Sequence, residues 1–231
     1  MKVALITGGS KGIGYGIAEA LLKEGYKVAI TSRSQEGADE AAERIGGGDN
    51  ILAIAADVKN YESQKKAVDT VVQKWGQIDV LIANAGVGVF ANIEEISVAD
   101  WNETIDTNLT GVFYSVKASL AEIKKSTGYI ITISSLAGTN FFAGGSAYNA
   151  SKFGLTGFTQ AIMLDLRQYG IKVSTIMPGS VATYFNDHEP DAEKDSWKIQ
   201  PEDLGSLVVD LLKMPARTLP SKVEIRPTRP A

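Results

Sequence analysis

The stretch V-A-L-I-T-G-G-S-K-G-I-G, residues 3–14, joins a short apolar run to a glycine-rich turn. The run 3–6 fits a buried strand, because it is short, rich in branched residues and followed by glycine. A segment of helical length, Ile13 to Glu24, comes after the turn. Gly8, Gly12 and Gly14 allow backbone N–H groups to approach an anion at the positive end of that helix. The stretch therefore predicts a strand, an anion-binding turn and a helix, in that order.

The same alternation of short apolar runs and helical segments continues along the chain. Further strands are predicted at 28–31, 51–55, 80–83, 129–133 and 173–177, with an edge strand at 222–226. Helical segments include 61–75 and 201–213. Since repeated β-α units build a parallel sheet covered by helices, the expected fold class is α/β. We expect one Rossmann-type, doubly wound parallel sheet of about seven strands, flanked by helices on both faces, in a single domain over 1–231.

The composition argues against several classes of function. The chain of 231 residues has a net charge of −4 and no basic run, so nucleic acid is not an expected partner. It has no cysteine and one histidine, His188, which lies in a polar run and is expected to be a solvated loop residue. Thiolate chemistry and a metal site are therefore not expected. The first apolar run is too short for a signal peptide or membrane helix, so we expect a cytoplasmic protein and no membrane partner.

The end of the second predicted strand indicates which ligand the glycine turn holds. The spacing G-x-x-x-G-x-G lacks the G-K-[ST] of a P-loop, which disfavours ATP. In dinucleotide folds an acidic residue at this strand end selects NAD, whereas an arginine accommodates the 2′-phosphate of NADP. Here the strand ends in T-S-R-S with Arg33, no carboxylate occurs before Glu36, and Lys11 supplies a second cation. The sequence thus predicts NADP(H) as cofactor.

The pentapeptide Y-N-A-S-K, residues 148–152, places a phenol and an ammonium four positions apart. In a helix these positions share one face, so Lys152 can approach Tyr148. A nearby cation favours the phenolate, and we therefore expect Lys152 to lower the pKa of Tyr148. The pair is a candidate for general acid–base chemistry, whereas an ordinary amphipathic helix is the alternative for this pentapeptide alone.

Further motifs follow in an order that resembles the short-chain dehydrogenase/reductase family. The glycine turn resembles the family's T-G-x-x-x-G-x-G, and Y-N-A-S-K resembles its Y-x-x-x-K. N-A-G resembles its N-N-A-G, with Ala83 in place of the first Asn, a change expected to weaken one hydrogen bond. Other matching segments are D-V (57–58), N-A-G (84–86), N-L-T-G (108–111), I-S-S (133–135) and P-G (178–179).

The resemblance implies the residues of a site. Implied catalytic residues are Asn108, Ser135, Tyr148 and Lys152, with Asn108 supporting a water. Ser135 is favoured over Ser134, because adjacent strand residues point to opposite faces. The implied cofactor-binding residues are Gly8, Ser10, Lys11, Gly12, Ile13, Gly14, Arg33, Ser34, Asp57, Val58, Asn84, Ala85, Gly86, Tyr148, Lys152, Pro178, Gly179, Val181 and Thr183.

The same resemblance implies carbonyl reduction, or its reverse, with Tyr148 as proton donor and acceptor. A substrate lid is expected at about 180–200, and a neutral aldehyde or ketone is the expected substrate. Six aromatic residues are candidates to line its pocket: Phe90, Phe141, Phe142, Tyr184, Phe185 and Trp197. A homodimer or homotetramer is expected, with a dimer interface on the helices around 98–125 and 148–169.

Three alternatives stay open at this point. The substrate could be a 3-oxoacyl thioester, although the ending K-V-E-I-R-P-T-R-P-A differs from the glycine-rich ending of many such reductases. The protein could be a regulator that binds NADP(H) without catalysis, although such proteins typically lose the Tyr or the Lys. A nucleotide-sugar enzyme is disfavoured, because few residues follow position 178.

Overall fold

The computed structural model describes residues 1–229 and contains one seven-stranded parallel sheet with the order β3-β2-β1-β4-β5-β6-β7. All neighbouring strands are parallel. The expected α/β sheet is confirmed, including its seventh strand at the edge. The strands are β1 (Val3–Ile6), β2 (Lys27–Ser32), β3 (Ile51–Ala55), β4 (Val80–Ala83), β5 (Tyr129–Ile133), β6 (Lys172–Pro178) and β7 (Lys222–Ile225).

Helices cover both faces of the sheet, as expected for strands that are apolar on both sides. On one face α1, α2 and α7 bury residues such as Ile17, Ala41 and Leu204 against the sheet. On the other face α3, α5 and α6 bury residues such as Val71 and Leu155. The helices are α1 (Gly12–Lys23), α2 (Gln35–Ile45), α3 (Tyr61–Trp75), α4 (Val98–Ile105), α5 (Gly111–Ser126), α6 (Ser146–Leu166) and α7 (Pro201–Lys213).

Helix ends follow the local sequence signals closely. Gly25, just after α1, has a φ of +78°, the left-handed conformation that glycine adopts readily. Ser97 caps α4 by accepting a hydrogen bond from the Asp100 N–H at 3.0 Å. The Ser97 hydroxyl in turn donates to the Asp100 carboxylate at 2.6 Å.

The predicted long helix around 98–125 is interrupted. Residues Asp106–Thr110 form a π-helical turn between α4 and α5. Such turns are rare and occur frequently at functional sites. This one contains Asn108, which the sequence had selected as a site residue.

The strand order places a ligand crevice in the middle of the sheet. The chain runs outward from β1 through β2 to β3, and then returns to β4 on the other side of β1. In open α/β sheets, ligands bind beyond the carboxyl ends of the strands at such a reversal. The loops after β1 and β4 therefore border the expected crevice. Within residues 1–229, no helix has both the length and the apolar character needed to cross a membrane.

Candidate active site

The glycine turn after β1 is packed closely against the loop that follows β4. Gly8 has a φ of +64°, and a Cβ added to it would lie 2.9 Å from the Cα of Ala85. A Cβ on Gly14 would lie 2.6 Å from the Asn84 side-chain nitrogen. Real side chains do not tolerate such distances, so both positions require glycine. The glycine turn, which includes Ser10, is therefore held against the loop after β4, at the expected crevice.

Asn84 fastens the glycine turn to β4. Its side-chain nitrogen donates to the carbonyl oxygens of Thr7 and Gly8, each at 2.9 Å. In return, the Thr7 hydroxyl accepts from the N–H groups of Asn84 and Ala85 at 3.0 and 3.2 Å. Ala83 lies buried in β4 and makes none of these side-chain bonds. The amide that joins the two loops is therefore supplied by Asn84.

The N-terminus of α1 has features that fit an anionic ligand. Lys11 is its N-cap residue, but no side chain caps the helix, and its first turn contains no acidic residue. The first N–H groups of a helix lack partners within the helix, so these groups are open to a ligand. Ile13 is half-buried and packs against the hydrophobic core behind the turn. These residues fit the pyrophosphate of a dinucleotide.

The residues at the adenine end of the expected site are placed at the ends of β2 and β3. Arg33 and Ser34 follow β2 and are exposed. Ser34 caps α2 by accepting from the Gly37 N–H at 3.2 Å. Asp57 follows β3 and accepts from the Lys59 N–H at 2.9 Å. Next to it, Val58 is buried, with 7% of its surface exposed.

Tyr148 and Lys152 lie on the same face of α6, as their spacing predicted. Lys152 is 4% exposed and Tyr148 is 9% exposed. The Lys152 ammonium donates to the carbonyl oxygen of Ile133 at 3.0 Å and lies 5.7 Å from the centre of the Tyr148 ring. A Cβ on Gly86 would lie 3.6 Å from the Lys152 Nζ, so this ammonium borders the loop after β4. The pair is therefore buried beside the loop after β4.

Burial has the largest effect on the pKa values of Tyr148 and Lys152. Burial raises the pKa of Tyr148, and a hydrogen bond with Ser135 opposes part of that rise. Burial lowers the pKa of Lys152 to about 8. The expectation of a lowered pKa for the phenol is therefore wrong for the protein chain alone, since burial raises it and the opposing contribution comes from Ser135. The phenol consequently stays protonated at neutral pH.

The two serines after β5 point in different directions, as expected for neighbouring residues in an extended chain. Ser135 accepts from the Ala137 N–H at 3.1 Å and donates to the Pro178 carbonyl at 3.5 Å, and its hydroxyl lowers the pKa of Tyr148. Ser134 is instead buried against α6, where its hydroxyl lies 3.0 Å from that of Thr156. Ser134 helps to fix α6 on the sheet, and Ser135 faces the phenol.

Asn108 connects the π-helical turn to the loop after β4. Its side-chain nitrogen donates to the Val87 carbonyl at 2.8 Å and to the Ser151 hydroxyl at 3.0 Å. Its side-chain oxygen accepts from the Val87 N–H at 2.8 Å. The side chain of Asn108 is therefore occupied in holding the loop that borders Lys152.

The segment after β6 approaches the glycine turn from the other side. Gly179 donates to the Ile225 carbonyl at 2.8 Å, which extends the pairing beyond Pro178. Val181 forms an isolated bridge with Ile199, so the two ends of the expected lid lie together. Within it, Thr183 is 9% exposed, and a Cβ on Gly12 would lie 3.2 Å from its methyl group.

Two of the six candidate aromatic residues contact Tyr148, and a third packs against one of them. The Phe90 ring lies 5.3 Å from the Tyr148 ring, and the Phe185 ring lies 5.6 Å from it. Phe142 packs edge-on against Phe90 at 5.6 Å. Beyond Phe142 a cavity of about 520 Å³ opens, lined by residues that include Ala91, Ile93 and Ser146.

The other three aromatic candidates make no ring contact with Tyr148 in the described chain. Phe141 is 86% exposed. The Tyr184 ring lies 5.9 Å from the Lys11 ammonium, and Trp197 lies at the same distance from the Lys198 ammonium. Phe141 borders the cavity beyond Phe142, so only Tyr184 and Trp197 are separate from both the phenol and that cavity.

His188 is a loop residue with 38% of its side chain exposed, and it is also bonded to a buried carboxylate. Its Nε2 lies 2.5 Å from the carboxylate of Asp195, which is 4% exposed and also pairs with Lys198 at 2.7 Å. These bonds hold the pKa of Asp195 well below its usual range, chiefly through Lys198 and then His188. The cluster lies inside the expected lid and ties its two halves together.

Asn149 is a structural residue of the site that sequence reasoning did not select. Its side-chain nitrogen donates to the carbonyls of Ala137 and Asn140, both at 2.8 Å. Its side-chain oxygen accepts from the Phe142 N–H at 3.3 Å. Asn149 therefore shapes the loop that carries Phe142, and its place between Tyr148 and Lys152 was the signal available in the sequence.

Known proteins share this architecture. A family model described as short chain dehydrogenase matches residues 2–194. The trans-4-hydroxycyclohexanecarboxylate dehydrogenase of Sinomonas cyclohexanicum is 38% identical over 189 residues, which cover 79% of this chain and 73% of that protein.

Two solved structures are similar over nearly their whole length. An alcohol dehydrogenase of the archaeon Thermococcus sibiricus, complexed with 5-hydroxy-NADP, has a TM-score of 0.93 at 30% identity and covers 100% of this chain and 99% of its own. A 3-ketoacyl-(acyl-carrier-protein) reductase of Brucella melitensis, complexed with NADH, has a TM-score of 0.89 at 27% identity. The match covers 99% of this chain and 98% of the reductase. These neighbours confirm the resemblance seen in the motifs: the chain belongs to the short-chain dehydrogenase/reductase family of oxidoreductases.

Proposed function

We propose that the protein is an NADP(H)-dependent oxidoreductase that reduces an aldehyde or ketone to an alcohol, or catalyses the reverse reaction. The observation that carries this proposal is the buried phenol of Tyr148, whose ring centre lies 5.7 Å from the Lys152 ammonium and whose pKa the Ser135 hydroxyl lowers against the effect of burial. Tyr148 and Lys152 lie on α6 beside the loop after β4, where a cofactor would bind. A buried proton donor next to a dinucleotide site is what carbonyl reduction requires.

The cofactor would be held by the chain's own loops. The glycine turn and the N-terminus of α1 would bind the pyrophosphate, and Asp57 and Val58 would contact the adenine. Gly86 and the segment from Pro178 to Thr183 would border the nicotinamide. When bound, NADP(H) supplies or accepts the hydride.

Tyr148 would act as the acid in the reductive direction. Because burial raises its pKa, the phenol keeps its proton at neutral pH and can give it to the carbonyl oxygen as the alcohol forms. Ser135 would donate a hydrogen bond to the same oxygen, where negative charge develops. Lys152 would bind the ribose hydroxyls of the cofactor, and Asn108 would support a water that returns the proton.

The substrate would enter beneath the segment 180–200, which we propose as the lid of this single cofactor-binding domain. Phe90 and Phe185 pack against the phenol ring and Phe142 packs against Phe90, so the surface beside Tyr148 is apolar, which favours a neutral aldehyde or ketone. The cavity beyond Phe142 offers room for the remainder of such a molecule. The likeness to a 3-ketoacyl reductase keeps a 3-oxoacyl thioester as the second candidate substrate.

A panel assay tests the proposed reaction. Aldehydes, ketones, diketones and 3-oxoacyl thioesters are offered with NADPH, and both the loss of NADPH absorbance and the alcohol produced are measured. Turnover of at least one carbonyl class is the expected result. Tight binding of NADPH without turnover of any member would instead favour a cofactor-binding regulator.

The cofactor preference gives a separate prediction. Arg33 and Lys11 are exposed cations at the end of β2 and in the glycine turn, and neither has a carboxylate partner within residues 1–229. We expect Arg33→Ala to weaken NADPH binding by about tenfold to a hundredfold, the usual worth of a hydrogen bond to a charged group, and to leave NADH binding unchanged. Calorimetric titration with both cofactors measures this, and a wild-type preference for NADH would contradict it.

A further prediction concerns assembly. Four large apolar residues on α4, α5 and α6 are 39% to 55% exposed: Trp101, Phe113, Phe153 and Leu164. Apolar patches of this kind mark interfaces between chains. We therefore expect at least a homodimer, so that light scattering gives a mass of no less than twice 24.6 kDa. A monomeric mass at micromolar concentration would refute this interface.

A further inference from the structure

Arg44 reaches the glycine turn from a distant part of the sequence. It lies in the last turn of α2, and its Nη2 donates to the carbonyl oxygen of Ser10 at 3.2 Å. Its guanidinium also lies over the Tyr15 ring, 5.5 Å from the ring centre. These two contacts fix the guanidinium beside the turn. Since a guanidinium carries five N–H donors, most of them remain available to a ligand.

Arg44 shares a cavity with a second cation, Lys11, and with two carboxylates. Within residues 1–229 no carboxylate forms an ion pair with Arg44. Together with Lys11 it lines a cavity of about 300 Å³. Glu19 and Glu202 also border this cavity, but in the described chain neither makes a hydrogen bond to the glycine turn, whereas Arg44 does.

The same part of the turn is tied to the end of β2. The Gly9 N–H donates to the Thr31 carbonyl at 3.0 Å, and the Gly8 N–H donates to the Thr31 hydroxyl at 3.4 Å. Arg33 follows two residues after Thr31. Lys11 and Arg44 therefore border one cavity beside the glycine turn, and hydrogen bonds tie that turn to the strand that ends before Arg33.

We propose that Arg44 is a specificity-determining residue, which hydrogen-bonds the 2′-phosphate of NADP(H) while it holds the Ser10 carbonyl. This inference rests on the proposed cofactor. A guanidinium whose plane is held by an aromatic ring and a carbonyl is suited to such a role, because little side-chain freedom is lost when it binds a phosphate. The charge of Arg44 would then matter for NADP(H) and not for NAD(H).

Binding of cofactor fragments tests the role without any turnover. The full chain is titrated calorimetrically with adenosine 2′,5′-bisphosphate and with 5′-AMP, which differ in the 2′-phosphate alone. We expect Arg44→Gln to weaken bisphosphate binding by about tenfold or more and to leave 5′-AMP binding unchanged, because a hydrogen bond to the charged phosphate is lost. Arg44→Lys should restore part of the lost affinity for the bisphosphate. Arg217 is also exposed, so Arg217→Ala is a control for the loss of one positive charge.

The outcomes separate this inference from the proposed function. Equal weakening of both ligands would mean that Arg44 only holds the turn, and would overturn the inference. An unchanged preference for the bisphosphate in Arg44→Gln would also overturn it, while leaving the NADP(H) proposal intact. Failure of the wild type to bind either fragment would overturn the proposed function itself. Circular dichroism and a thermal melt of each variant verify that it is folded.

Discussion

Replacing Tyr148 by phenylalanine is expected to lower carbonyl turnover by about a thousandfold or more, within the range that general acid catalysis contributes. The substitution removes one hydroxyl and keeps the ring, which packs against Phe90 and Phe185. Cofactor binding and the fold should therefore be unchanged. Initial rates with NADPH, together with the dissociation constant for NADPH, measure both effects.

A matched control is available at the end of the same helix. Tyr169 is 50% exposed and lies away from the aromatic residues around Tyr148, with the Lys124 ammonium 3.9 Å from its ring centre. Tyr169→Phe should keep full turnover. If Tyr148→Phe retained activity near that of the control, the phenol could not be the proton donor.

Replacing Lys152 by methionine is expected to have the second largest effect. Turnover should fall by at least about a hundredfold, because the cation beside the phenol and the reacting groups is removed. NADPH should also bind more weakly, since Lys152 is proposed to hold the ribose hydroxyls. Unchanged turnover and affinity in Lys152→Met would contradict both roles.

The same variant has an unusual consequence for stability. Burial lowers the pKa of Lys152 from 10.5 to about 8. At neutral pH both folded and unfolded chains are protonated, and the folded chain bears the cost of a buried charge. Between these two pKa values the unfolded chain keeps a proton that the folded chain releases, so the free energy of unfolding rises with pH.

The size of this rise can be measured against the variant. From about pH 7 to about pH 10 the stability of the wild type relative to Lys152→Met should increase, by up to about 3 kcal/mol for the full shift. Urea unfolding at several pH values gives the difference, because groups common to both proteins cancel. A constant or falling difference over this range would show that the ammonium is not destabilised by burial.

The fold was readable from the sequence because its elements are locally encoded. The apolar runs are short and rich in branched residues, and the seven strands observed lie at the positions expected. Helix α3 begins and ends as expected, with Asn60 capping its start and Gly76 ending it in a left-handed conformation. The π-helical turn at Asn108 could not be foreseen, since it arises where α4 and α5 pack around the loop after β4.

Only part of the site could be predicted from the sequence. Tyr148 and Lys152 were found because their spacing along one helix fixes their proximity, and Ser135 was found through the family resemblance. Arg44 was missed because its contact with Ser10 joins positions 34 residues apart, and no local pattern encodes it. The raised pKa of Tyr148 was also not predicted, because the burial of its side chain depends on the whole fold.

The central claim is that bound NADPH is consumed in reducing a carbonyl. A single-turnover experiment tests it directly: enzyme in excess is mixed with NADPH and the best carbonyl of the panel, and the alcohol and remaining NADPH are quantified. We expect one alcohol for each NADPH in the wild type and none in Tyr148→Phe, although both proteins bind the cofactor. NADPH that stays bound and unconsumed in the wild type, whatever carbonyl is offered, would contradict it.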